Sequence, residues 1–278
     1  MDKVKPDFRR MLLRLPHSAS DYTAVALVAE LATLLGADLI GTYVDDRDLR
    51  GLVDLPGARE FRAGRWQPLN SNQFALAMAS ASREAERLFL ECASQHGPSF
   101  RVIDSASGAT LDADKDDIIV VIEPKSPIER ATRQFSDLLE HTSRSASSIL
   151  WIPSETKRVV GPIVVVAAWS DDPCISAALT IAAAAKEKLI LVSGGTSTAS
   201  LASALERAKR AGVAATMAEA AFHRDELLLP AHIKASLLIT GREHTLQRRN
   251  LAQIPILLIS RDQQSTSSDA QPKLSHSG

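Results

Sequence analysis

The sequence predicts an α/β protein built on doubly wound parallel sheets, and three observations predict it. Short apolar runs alternate with segments of helical periodicity along nearly the whole chain. The joints between them are a few residues long, which implies parallel strands with right-handed crossovers. The order of elements then restarts after about residue 154, so the 278 residues read as two domains of ordinary size.

Met11–Leu15 is an apolar run stopped by Pro16 and reads as a buried strand. The stretch 17–36 follows as a helix, with Ser18 or Ser20 as cap, Val28, Leu31 and Leu35 on one stripe, and Gly36 at the left-handed C-terminal position. Residues 37–44 form the second strand. The charged excursion 45–70 is broken by glycine and proline and carries Arg47, Arg50, Arg59, Arg62 and Arg65 beside Phe61 and Trp66. It is a lid, a partner-binding surface of the arginine–aromatic kind, or a loop whose Phe61, Trp66 and Leu69 pack on their own domain. A helix from about Asn72 to His96 buries Phe74, Met78, Ala81, Ala85, Leu88 and Cys92, and Gly97-Pro98 ends it. Strands at 99–104 and 117–122 come next. Ser126-Pro127-Ile128-Glu129 opens a helix whose stripe is Ile128, Ala131, Phe135 and Leu138, and the fifth strand is 148–153.

The second half repeats the scheme. Strands are expected at 161–169, 189–195, 213–220, 236–240 and 254–260, with helices at 170–188 and 198–212 and a short one in HRDELLLPAHIKA. The expected domains are 1–153 and a shortened 159–260, followed by a disordered tail at 261–278, which lacks an apolar pattern. The apolar last strands SILWIP and PILLIS leave edges that need covering.

Composition narrows the function classes. Apolar residues make up 45% and charged residues 23%, and the formal net charge of −1 gives no bulk attraction to nucleic acid or an anionic membrane. The N-terminus is too poor in apolar residues for a signal-peptide core, and ISAALTIAAAA (175–185) is half a membrane span, so a cytoplasmic location is expected. Cys92 and Cys174 have neither metal-ligand nor disulfide spacing.

The opening strand–helix–strand of each half carries a resemblance. "AELATLLGADLIGTYVDD" with "LRGLVDLPGARE", and "VVVAAWSDDPCISAAL", are similar to the universal stress protein family, in two tandem copies over about 10–153 and 159–260. The resemblance implies two parallel five-stranded sheets in the order 3-2-1-4-5, of the adenine-nucleotide alpha-hydrolase-like kind, packed as an internal pseudo-dimer. The family pairs its domains through their last strands. Many members bind ATP on a loop after strand four, of the form Gly-x2-Gly-x9-Gly-Ser/Thr, with an acidic residue after strand one near the adenosine.

A phosphate cradle needs glycines so that backbone N–H groups can turn towards the anion without an intervening Cβ. Here the second loop runs Gly241-Arg242-Glu243-His244-Thr245-Leu246 without another glycine before Pro255, and the first runs Glu123-Pro124-Lys125-Ser126-Pro127 with none. After strand one stand Pro16-His17-Ser18 and Trp169-Ser170-Asp171, of which Asp171 fits, one residue displaced. No ATP or other cofactor is therefore expected in the family's manner. Ser170, Asp171, Gly194, Gly241 and Arg242 remain the candidate ligand crevice. Arg242, Arg248 and Arg249 either bind another anion or are solvated and pair with Glu243. Ser193-Gly194-Gly195-Thr196 lines that crevice or is a plain turn.

Three smaller candidates remain. Cys174 at a helix start is either a redox thiol or a small buried residue, with Asp171 and Asp172 opposing a thiolate. His17 at a strand's carboxyl end has no metal-spaced partner. The carboxylate pairs Asp45-Asp46 and Asp116-Asp117 read as solvated. The sequence thus predicts a non-enzymatic binding or regulatory protein of a stress response, with internal domain pairing and a homodimer or a regulatory protein as partner. The alternatives are a nucleotide or small-anion binder and a thiol sensor through Cys174.

Overall fold

The computed structural model describes residues 8–15, 22–45, 51, 53, 55–94, 98–104, 112–156, 160–193, 201–218, 221–223, 226–228, 235–242, 245–246 and 253–261. Ten strands form its central sheet. In chain order they are β1 Arg10–Leu15, β2 Asp38–Asp45, β3 Ser99–Asp104, β4 Asp117–Ile122, β5 Ser148–Ile152, β6 Ile163–Ala167, β7 Leu189–Ser193, β8 Ala215–Ala218, β9 Leu237–Gly241 and β10 Ile256–Ile259. The helices around it are α1 Tyr22–Leu35, α2 Ser71–Ala93, α3 Pro127–Arg130, α4 Arg133–Arg144, α5 Pro173–Ala185 and α6 Ala202–Arg210.

The spatial order is β8-β7-β6-β9-β10-β5-β4-β1-β2-β3. Every neighbour pair is parallel except the central one, where β10 runs antiparallel to β5 with Leu257 opposite Leu150 and Ile256 opposite Trp151. Two separate sheets were expected, and there is one. Each last strand is short and apolar, and pairing it with the other satisfies backbone groups that would otherwise form an open edge. Outward from this seam both sides run fifth, fourth, first, second and third strand of their own half.

Buried β-branched and leucine runs make these strands, as expected of parallel sheets covered on both faces. One face carries a single apolar layer that crosses the seam. Met11, Leu13, Leu39 and Val120 of the first half and Val165, Leu191, Ile239 and Leu257 of the second lie in the same buried cluster, with α1 packed against α5. On the other face, α4 lays Leu138 and Phe135 over Ile119, Val121 and Ile149, while Val164, Val166, Val192 and Leu238 form a separate cluster. Trp151 and Leu258 pack against both of these. Gly41 in β2 lets Phe89 of α2 lie on the sheet, because a Cβ there would sit 2.8 Å from the ring.

Local signals were mostly obeyed. Gly36 sits at φ 66° after α1, Asn70 caps α2 by accepting from Gln73 N at 3.1 Å, and Asp172 with Pro173 opens α5. Three helices differ from expectation. In α2, Phe74, Met78 and Ala81 are only partly buried, because the helix meets the sheet from Ala85 onward, and Cys92 is only partly buried as well. The segment after Ser126 breaks at Ala131, and Thr132 caps a new helix, α4. Ile128 and Ala131 are consequently exposed, not part of a buried stripe. In place of the short helix expected from His223 onward, Ala221–His223 and Glu226–Leu228 form strands that pair antiparallel, and the latter pairs parallel with Thr245–Leu246.

Candidate functional site

In a doubly wound sheet a ligand sits beyond the carboxyl ends of the strands, where the direction of winding reverses. In the second half that place lies at β6, between β7 and β9. Val166 and Ala167 end β6 as buried residues, and the chain then turns through Trp169, Ser170 and Asp171 into α5.

Asp172, not Asp171, holds the centre of this edge. Its carboxylate is buried; Oδ1 accepts from Cys174 N at 2.9 Å, and Oδ2 accepts from Ala168 N at 2.8 Å. The first bond caps α5 and the second closes the turn back onto β6. The charge is answered by Arg261, just past β10. Its Nε donates to Oδ1 at 3.3 Å and its Nη2 to Oδ2 at 2.5 Å, a bidentate contact. The Arg261 side chain is only 9% exposed, stacks 4.9 Å from the Trp169 ring centroid and also reaches Val166 O at 3.5 Å. A planar cation from the chain itself therefore fills the end of the first strand of this half. The sequence pattern places Arg261 in a disordered tail, whereas the Asp172 carboxylate and the Trp169 ring hold it in place; residues 262–278 lie outside the described residues.

Asp171 points outward. Its side chain is exposed, and its Oδ1 lies 3.5 Å from Arg207 Nη1. Arg207 of α6 also donates to Ser170 O at 3.3 Å and to Ser176 Oγ at 3.0 Å, so it ties the 170–176 turn to its neighbouring helix. Ser170 contributes its carbonyl to that tie. Gly194, with the rest of the Ser193-Gly194-Gly195-Thr196 turn after Ser193, lies outside the described residues, as do His17, Glu243, His244, Arg248 and Arg249.

Gly241 ends β9 as a buried residue opposite Ile259, and Arg242 N continues the ladder to Ile259 O at 3.1 Å. The Arg242 guanidinium then leaves the crevice altogether. It crosses the seam and donates to Thr142 O at 2.7 Å, Ser147 O at 2.8 Å, Ser143 O at 3.3 Å and Ser145 O. These are carbonyls at and just past the end of α4, which a helix leaves without partners of its own. A cation there also suits the negative end of the helix dipole. Partial burial lowers the Arg242 pKa from its usual value. The equivalent position of the first half is Glu123, whose N donates to Ile152 O at 2.8 Å. Its carboxylate accepts from Arg130 Nη1 at 3.3 Å and from Ser154 N at 3.5 Å, so that loop presents an acid where an anion would need donors.

Cys174 is fully buried, and burial first, then the neighbouring Asp172, pushes its thiol well above the ordinary range. Arg261, with Nη2 at 3.7 Å from Sγ, opposes this and does not prevail. Cys92 is partly buried and shifted the same way by burial. Asp117 is not a solvated carboxylate: it is buried at the amino end of β4, held by Arg10 and by Asp114 N at 2.8 Å. Among the described residues no three His, Cys, Asp or Glu side chains are grouped to hold a metal, and no helix is long and apolar enough to cross a membrane.

No protein-family model matches the sequence, and no curated protein matches it. Solved structures do match the fold. A universal stress protein from Archaeoglobus fulgidus DSM 4304 superposes with a TM-score of 0.52 at 11% identity, covering 94% of this chain and 99% of its own. The cytoplasmic domain of a prokaryotic cation chloride cotransporter superposes with a TM-score of 0.51 at 11% identity, covering 91% and 96%. The likeness runs through both halves of the chain, so this α/β protein with its mostly parallel central sheet has the fold of these two proteins.

Proposed function

We propose that the chain is a tandem universal-stress-type protein, two degenerate copies at 1–153 and 159–260, acting as a non-enzymatic binding or regulatory module in the cytoplasm. The observation that carries the reading is the Asp172–Arg261 pair. The acid nearest the expected adenosine position is neutralised by the chain's own guanidinium, with Trp169 stacked over it. The phosphate end is altered as well. Arg242, one of the loop cations suited to replace lost glycine donors, spends its guanidinium on carbonyls at and just past the end of α4. A nucleotide or small-anion site using Arg242 would have to take that side chain away from those bonds, which disfavours this alternative. The buried, high-pKa thiol of Cys174 likewise disfavours a redox sensor.

The test is a thermal-shift panel of ATP, ADP, AMP and cyclic nucleotides with magnesium on ligand-stripped protein. A ligand at 100 times its dissociation constant stabilises a fold by about 2.7 kcal/mol, so binding would be visible. No shift is expected with any of them. A concentration-dependent rise with one nucleotide would replace the reading with that of a nucleotide-binding protein.

A further inference from the structure

The connection from β2 to β3 takes residues 46–98, whereas its counterpart from β7 to β8 takes only 194–214. Much of the extra chain is an arm with an unusual surface. Arg59–Arg62 and Arg65–Pro68 form a hairpin turned at Ala63 and Gly64, with φ of 51° and 81°. Phe61 and Trp66 face each other across it, ring centroids 5.4 Å apart, and are 62% and 64% exposed. Leu55 before the hairpin and Leu76 after it are 55% and 69% exposed. The arm runs on into α2, where residues 71–84 bury no side chain and burial begins at Ala85. From Ser71 to Ser82 this helix has no charged residue at all. Large apolar side chains concentrated in one solvent-facing segment mark an interaction surface.

We infer that residues 55–83 are a dimerisation arm that docks, reciprocally about a twofold axis, on the body of a second copy of this chain. Charge selects that occupant. The arm carries Arg59, Arg62, Arg65 and Arg83 against the single carboxylate Glu60, a local +3 on a chain of net −1, so the remainder carries −4. Two arms laid face to face would oppose their own arginines, whereas an arm against the partner's acidic remainder is complementary. A twofold arrangement makes the contact twice. Its length is also right, since a stable interface takes about 20–30 residues a side. Exposed phenylalanine, tryptophan and arginine are the residue types that carry binding energy at such surfaces. The inference is independent of what the crevice at β6 binds.

The experiment is light scattering coupled to size exclusion, with sedimentation velocity over a range of protein and salt concentrations, on the full chain. Wild type is expected at twice 29.9 kDa, with a dissociation constant that rises with salt as the charges are screened. The triple variant Phe61→Ser, Trp66→Ser, Leu76→Ser should weaken the dimer at least about 30-fold, the loss of a single hot spot. Because these side chains are exposed, its far-UV circular dichroism should match wild type, and its Tm should match that of wild type diluted to the monomer. A monomer at every concentration would overturn the inference, and its co-sedimentation with phosphatidylserine vesicles would reassign the arm to a lipid surface. A dimer unchanged by the triple variant would overturn it equally.

Discussion

Replacing Arg242 with alanine separates a clasp from a ligand-binding residue. The wild-type guanidinium donates to four carbonyls across the seam, of which Thr142 O at 2.7 Å and Ser147 O at 2.8 Å are well formed. A hydrogen bond to a charged group contributes about 1.5–3 kcal/mol. The side chain is partly exposed, so water would recover some of the lost contacts, and two effective bonds at the lower value give a loss of about 3 kcal/mol. For a chain of this size each kcal/mol moves Tm by about 2–4 °C, so a fall of roughly 6–12 °C is expected. Urea unfolding followed by tryptophan fluorescence reports it directly, because Trp151 sits in the β5–β10 seam. Arg242→Lys should lose about half as much, since an ammonium cannot span several carbonyls as a guanidinium does. A loss below about 0.5 kcal/mol, the range of an ordinary surface substitution, would refute the clasp.

Three further outcomes follow from the same geometry. Asp172→Ala should cost about 3–5 kcal/mol by leaving Arg261 buried and unpaired, and Asp172→Ala with Arg261→Met should cost less; additive losses in that cycle would deny the pair its role. Gly41→Ala should destabilise by about 1–3 kcal/mol through overpacking against Phe89, and Phe89→Leu should relieve it; a neutral Gly41→Ala measured by calorimetry would show that the ring moves freely. Cys174 should label slowly between pH 6 and 8. Because its folded pKa is raised, its contribution to stability is present below the free thiol value of about 8.5 and lost as pH rises beyond it, so Cys174→Ala should flatten that alkaline decline. Rapid labelling at neutral pH would contradict this.

The strands were legible because fully buried parallel strands are written as uninterrupted apolar runs, and DIIVVI and IVVVA are such runs. The Asp172-Pro173 start of α5 was equally plain, since cap and first-turn proline act within three residues. What escaped depended on partners far along the chain. Ile128, Ala131, Phe135 and Leu138 have the spacing of one helical stripe, yet only Phe135 and Leu138 meet the sheet, and the break at Thr132 turns Ile128 out to solvent. The strand Glu226–Leu228 exists through pairing with Ala221–His223 and Thr245–Leu246, which periodicity within a window does not register. The single sheet required the edges of β5 and β10 to meet, a matter of tertiary geometry.

The sequence places the candidate crevice beyond the ends of β6 and β9, and at the end of β6 the fold sets Asp172 and Arg261. Sequence reasoning chose Asp171 for its position after β6, while the fold buries Asp172 and exposes Asp171. Arg261 was passed over because the polar residues after it have no pattern; an arginine directly after an apolar last strand was the available signal. Arg242 was recognised as the residue that could hold an anion. Its true partners, the carbonyls of Thr142, Ser143, Ser145 and Ser147, are nearly a hundred residues away.

The central claim is that neither arginine leaves a nucleotide site open: Arg261 fills the end of β6 against Asp172, and Arg242 spends its guanidinium on carbonyls across the seam. Calorimetric titration of Mg-ATP into the ligand-stripped full chain tests it most directly. The account predicts no heat of binding up to about millimolar ATP, where an interaction weaker than about 4 kcal/mol escapes detection. Low-micromolar binding that Arg242→Ala abolishes would contradict it.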